Sequence, residues 1–127
     1  MDNTNPNYYS AKWHVDGSGK DIAKVFVFLH DTDIDQGPTC IASKSQSRAL
    51  LKAGYKIRKD SEKGVAEAEQ LEKNPENIMV GVNGDVFYFD PNYCIHKAGV
   101  PSTGCHRDML MIIAVPAALN RIEVLRG

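Results

Sequence analysis

Cysteine is scarce in this chain, and so is charge in excess of either sign. Only three of its 127 residues are cysteine. Cys40, Cys94 and Cys105 are odd in number and none falls in Cys-x-x-Cys spacing. That argues against a disulfide framework and against a structural zinc site. A reducing, cytoplasmic setting is expected, with buried or idle thiols rather than a redox pair between Cys94 and Cys105. Fifteen basic residues against sixteen acidic ones leave a formal net charge of −1. This gives no electrostatic case for nucleic acid or for an anionic membrane as partner. No apolar run approaches the length of a membrane span. The polar, Asn-rich stretch from Met1 to Tyr9 lacks the features of a secretory signal. Internal repeats are absent as well.

What is present suits one domain, residues 1–127, with one core. Hydrophobic residues make up 43% and charged residues 24%, the balance of an ordinary globular chain. Tyr8 to His14 is compatible with a strand. Val25-Phe26-Val27-Phe28-Leu29 is a continuous run of β-branched and aromatic residues, expected as a central strand buried on both faces. Asp31 to Gly37 has acids at alternate positions, like the start of a calcium loop. Its Gly falls one place late, and Ala42 stands where the closing Glu belongs, so an acidic turn ending in Gly37-Pro38 is expected. Thr39 to Ala42 reads as a short strand. Residues 44–77 are polar and lysine-rich and suit one or two short surface helices, starting near Ser61 and stopping at Asn74-Pro75. Asn83-Gly84 between two apolar-rich runs predicts a hairpin. Tyr93 to His96 is expected as a short strand, Met109 to Val115 as a second buried one, and residues 120–127 as an edge strand. Short strands recurring between turn signals point to an all-β sandwich or barrel.

The candidate chemistry begins at Trp13-His14-Val15-Asp16-Gly17. Side chains alternate along a strand, so His14 and Asp16 share a face. Imidazole nitrogen and carboxylate oxygen, joined by a second His, suit a mid-series metal such as Fe(II) and leave coordination positions open. His-x-Asp alone is a weak signal, since a surface His near an Asp is commonplace. His30, His96 and His106 are the candidates for the third ligand, with a plain exposed role expected for His30. If Tyr93–His96 pairs with Arg107–Val115, Arg107 lies near His96 and shares a side with Met109, Met111 and Ile113. A guanidinium aimed into an apolar interior requires an anionic partner. A ligand carboxylate would satisfy it through the guanidinium fork. An Arg107 that faces solvent, or pairs with Asp108 or Asp85, fits the residues as well.

Several of these segments together resemble the phytanoyl-CoA dioxygenase family of Fe(II)/2-oxoglutarate oxygenases. The resemblance rests on Trp13-His14-Val15-Asp16, on Lys24 to Asp33 with Gly37-Pro38, and on Gly84 to Asp90. It continues through His96, a loop with Pro101 and Gly104, and Arg107 ahead of an apolar strand. These occur in family order from about residue 8 to residue 116. The resemblance implies a double-stranded β-helix, a jelly-roll or cupin-like core with residues 44–77 as a helical insertion. It implies that His14, Asp16 and His96 bind Fe(II) and that Arg107 grips the far carboxylate of 2-oxoglutarate. O2 is the co-reactant, succinate and CO2 are the products, and a C–H bond of a small organic substrate is hydroxylated. An Asp at position 16 favours hydroxylation over halogenation, because halogenating relatives carry a small residue there.

The chain departs from the family in two respects. Family members are considerably longer, and the elements that normally precede the His-x-Asp motif are missing, so an N-terminally truncated form is expected. Ser43-Lys44-Ser45-Gln46 replaces the frequent Gly-Ser-His. A catalytically impaired or truncated metal-binding remnant is therefore the alternative to an active hydroxylase. A hydrolytic zinc site on the same three ligands is a third reading, one that leaves Arg107 without a purpose.

Overall fold

The computed structural model describes residues 9–17, 21–55 and 68–116. It is β-rich with few helices. The elements are β1 (Ala23–Phe28), β2 (Cys40–Ile41), α1 (Lys44–Lys52), β3 (Val86–Phe89), β4 (His96–Lys97) and β5 (Met109–Ala114). Residues 68–72 form a further helical stretch.

The larger sheet is antiparallel with order β3-β1-β5. Its central strand is the run of β-branched and aromatic residues, which fits a pleated surface well. Phe26 is paired with Phe87 on one side and Met111 on the other, and Lys24 with Phe89 and Ile113. Alternation puts Lys24, Phe26, Phe28, Phe87 and Phe89 on one face. Phe26 lies near-parallel to Phe87 and Phe89, with ring centroids 5.1 and 6.1 Å away.

The smaller sheet is built on β2 and β4. Single bridges extend it on both sides, His14 to His96 and Cys40 to Ile78. One face carries His14, Asp16, Ile41, Cys94 and His96 and looks toward the larger sheet. There Ile41 and Cys94 pack with Phe89, Phe26, Phe87 and Met79. The opposite face carries Trp13, Val15, Cys40, Ala42 and Ile95, which pack with Leu50 of α1, Tyr55, Ala68 and Leu71. The result is three layers: helices, small sheet, large sheet.

Local chemistry explains the joints. Ser43 and Gln46 form a reciprocal capping box at the start of α1. On the buried side of α1, Ser47 Oγ accepts the Ile95 N–H at 2.9 Å, which fastens the helix to the small sheet. Asp33 caps a 3-10 turn over Ile34–Gln36, and Gly37 leaves it in the left-handed conformation. Gly99 then lies against Gly37 and Pro38 so closely that a Cβ there would overlap their backbone atoms.

Several expected pairings differ. Tyr9–Ala11 is a 3-10 turn rather than a strand, and only His14 bridges. The Asn83-Gly84 turn exists, closed by Asp85 N–H to the Val82 carbonyl at 3.0 Å. Its arms do not form a hairpin with each other. β3 pairs with β1, while Gly81 bridges Thr32 and Ile78 bridges Cys40. β4 pairs with β2 rather than with β5, which lies in the other sheet. Among the described residues β5 pairs with β1 alone, and it is not buried: Leu110, Met111, Ile112 and Ile113 are each about half exposed. The helical reading of 44–77 holds at α1 and at residues 68–72. Ser61 and residues 120–127 lie outside the described residues.

Candidate metal centre

The edge of the small sheet brings His14 and His96 together. Each donates its backbone N–H to the other's carbonyl at 2.9 Å. Directly opposed residues point their side chains to the same face. Trp13 and Val15 pack outward with the helices, so His14 and Asp16 turn inward. The Asp16 N–H is held by the Pro91 carbonyl at 2.9 Å.

The three side chains converge. Asp16 Oδ1 lies 3.5 Å from His14 Nε2 and 3.3 Å from His96 Nε2. The imidazole centroids are 4.4 Å apart, tilted by 51°. His14 Nδ1 donates to the Lys12 carbonyl at 2.6 Å, and His96 Nδ1 to the Cys94 carbonyl at 2.9 Å. A carbonyl oxygen only accepts, so each ring carries a hydrogen on Nδ1 and turns Nε2 toward the cluster. Burial drives the His96 pKa down to about 4; the Cys94 carbonyl opposes this, His14 adds to it, Asp16 opposes it and Lys24 adds to it. His96 is thus neutral at physiological pH.

Two imidazole nitrogens and a carboxylate oxygen aimed at one point form an electron-rich donor set. They lie within 4.8 Å of one another, close enough for a single cation to touch all three. Neutral His fixed by a backbone acceptor at Nδ1 is the usual arrangement of metal-bound histidine. The donor set fits a divalent mid-series metal with positions left open. The second oxygen of Asp16 is taken by Lys24, Nζ to Oδ2 2.5 Å. Sequence reasoning passed over Lys24, although its alternation with Phe26 and Phe28 already places a cation on an apolar inner face.

Phe89 packs its ring edge-on to His96, centroids 4.8 Å apart. Phe89 also lines a cavity of about 730 Å³, shared with Ile41, Met79, Cys94, Lys44 and Asp90. Arg107 stands elsewhere. Its Nη1 donates to the Gly99 carbonyl at 3.3 Å. Burial lowers its pKa, and the Cys40 thiol acts in the opposite direction. Among the described residues no carboxylate pairs with Arg107. Asp85 instead accepts the Val82 N–H, and Asp108 faces His106.

A second grouping, His30, His106 and Asp108, was not anticipated. His30 is not the plain exposed residue expected: it is half-buried, its Nε2 accepts the Asp108 N–H at 2.9 Å and its Nδ1 donates to the Asp31 carbonyl at 2.7 Å. With both nitrogens committed, His30 acts as a clasp on the segment entering β5. All three cysteines are free thiols. No helix among the described residues is long and apolar enough to cross a membrane.

Comparison with protein-family models, with curated proteins and with solved structures finds no match to this chain.

Proposed function

We propose that the chain is an Fe(II)- and 2-oxoglutarate-dependent oxygenase of the phytanoyl-CoA dioxygenase type, hydroxylating a C–H bond of a small organic substrate. The observation that carries this reading is the convergence of His14 Nε2, His96 Nε2 and Asp16 Oδ1, with both Nδ1 atoms committed to backbone carbonyls. Two antiparallel sheets packed face to face, with the cluster between them, suit a double-stranded β-helix core. His14, Asp16 and His96 would hold the iron, which when bound supplies the oxidation of 2-oxoglutarate and substrate by O2. The protein's own part is to orient the donors, keep the His96 imidazole neutral and exclude water with Phe89. Arg107, which donates to the Gly99 carbonyl and has no carboxylate partner among the described residues, is the residue that the family resemblance assigns to the cosubstrate's distal carboxylate. A cytoplasmic setting belongs to this reading and suits three free thiols.

Anaerobic Fe(II) with 2-oxoglutarate is expected to give a weak visible charge-transfer band, lost in His14→Ala and in His96→Ala. With Arg107→Met, metal binding persists and a higher 2-oxoglutarate concentration is needed. Absence of the band together with absence of succinate sinks the oxygenase. One feature favours the remnant reading: β5 shows half-exposed apolar side chains on both faces. The remnant predicts metal binding without succinate release, so the succinate assay separates the two.

A further inference from the structure

The two oxygens of Asp16 have different neighbours. Oδ1 faces the two Nε2 atoms at 3.3 and 3.5 Å, whereas Oδ2 is bound by Lys24 Nζ at 2.5 Å. Both partners of that ion pair are largely enclosed, with side chains 17% and 20% exposed. Lys24 reaches Asp16 from the opposite sheet. Its place on β1 is opposite Phe89 and Ile113, on the face that also carries Phe26 and Phe28. An ammonium on such a face requires a counter-ion nearby, and Asp16 provides it. The bond is charge-assisted and the stem is fixed by the sheet, so Oδ2 is not available to a cation sitting at Oδ1.

We propose that Lys24 is a positioning residue that sets how Asp16 binds the metal: it holds the carboxylate to one-oxygen coordination through Oδ1 and thereby keeps one further position open for exogenous ligands. This rests on His14, Asp16 and His96 being a metal centre. A carboxylate released from Lys24 is free to chelate with both oxygens, as carboxylates do where nothing claims the second one. Chelation would consume a position that a bidentate cosubstrate and O2 need. Lys24 also places a positive charge beside the ion, which weakens metal binding by direct repulsion. The sequence thus gives up affinity for the ion in return for an open coordination sphere.

The test uses Mn(II) with the full chain, its affinity read by electron paramagnetic resonance and its inner-sphere water by proton relaxation. Lys24→Met is expected to bind Mn(II) about tenfold more tightly, from removal of the adjacent positive charge, and to carry about one inner-sphere water fewer. Lys24→Arg restores both values toward wild type. Circular dichroism checks the fold, and Lys24→Gln carries the same expectation should the Met variant fail to fold. An unchanged water count in a folded variant, whatever the affinity, overturns the proposal. So does weaker binding, which marks Lys24 as a prop for the Asp16 backbone. If wild type itself binds no Mn(II), Co(II) or Fe(II), the metal centre fails and this inference fails with it. If wild type binds and only the Lys24 comparison fails, the metal centre stands.

Discussion

His14 and His96 grip each other twice through the backbone, each N–H on the other's carbonyl at 2.9 Å, and both rings are buried. Burial has a consequence for acid stability. Burial in the folded chain pushes the His96 pKa from its ordinary value of 6.5 down to about 4. Below the unfolded value the unfolded chain takes up a proton that the folded one refuses. Stability is therefore full above pH about 6.5 and falls as pH drops to about 4. A shift of this size corresponds to a loss on the order of 3 kcal/mol. Urea unfolding of the metal-free chain across that window should show the decline, and His96→Gln should shrink it. A flat profile in wild type contradicts the assignment.

Gly99 and Gly37 pack backbone to backbone. A methyl group at position 99 would overlap the Pro38 carbonyl and Gly37. Gly99→Ala is expected to cost about 3 kcal/mol or more, because neither segment can withdraw without breaking the loop that carries the Arg107 acceptor. Gly104, at φ +81° with open space around its Cα, is the comparison. Its Ala variant should lose only about 1–2 kcal/mol from the left-handed backbone. Denaturant midpoints of the two variants give the order, and a milder effect at position 99 would contradict the packing.

Thiol reactivity should divide the cysteines. Cys40 and Cys94 are buried while Cys105 is partly exposed. Burial pushes the Cys40 and Cys94 thiols up, so little thiolate is present at neutral pH. An alkylating reagent is expected to label Cys105 quickly in the native chain and all three cysteines only after unfolding. Mass mapping of the labelled peptides checks this, and rapid labelling of Cys94 in the native chain counts against the small sheet as described.

Glu72 accepts the indole N–H of Trp13 at 3.1 Å and the ammonium of Lys97 at 2.5 Å. Lys97 in turn lies over the Trp13 ring, 5.8 Å from its centroid. Glu72→Ala leaves a buried indole donor unsatisfied and should cost about 1–3 kcal/mol. Trp13 is the single tryptophan, so its fluorescence reports directly: emission should move to longer wavelength in the variant. An unmoved spectrum and an unchanged midpoint would falsify this clasp.

Periodicity was the most legible feature of the sequence. Alternation at His14-Val15-Asp16 put both polar side chains on one face, and the structure has them there because Trp13 and Val15 are claimed by the helices. The same rule applied to Lys24-Val25-Phe26 would have exposed the Asp16 partner. Strand partners were less legible. Asn83-Gly84 signals reversal of the chain but not what the arms pair with, and the half-exposed Val80 and Val82 offer β3 no buried face to match. A continuous apolar run also reads alike at the centre and at the edge of a sheet. Among the described residues β1 is the former and β5 the latter, and only the topology distinguishes them. The third member of the cluster, His96, came from the order of motifs, since its bridge to His14 spans most of the chain.

All three donors sit on the sheet whose named strands are only two residues long. So short a ladder owes its persistence to the layers on either side more than to its own backbone bonds. A cation seated between residues 14, 16 and 96 would therefore act as a cross-link, closing a loop that takes in most of the chain in the way a disulfide does elsewhere. Heat resistance and occupancy of the centre should then rise together, with the small sheet as the part that gains most.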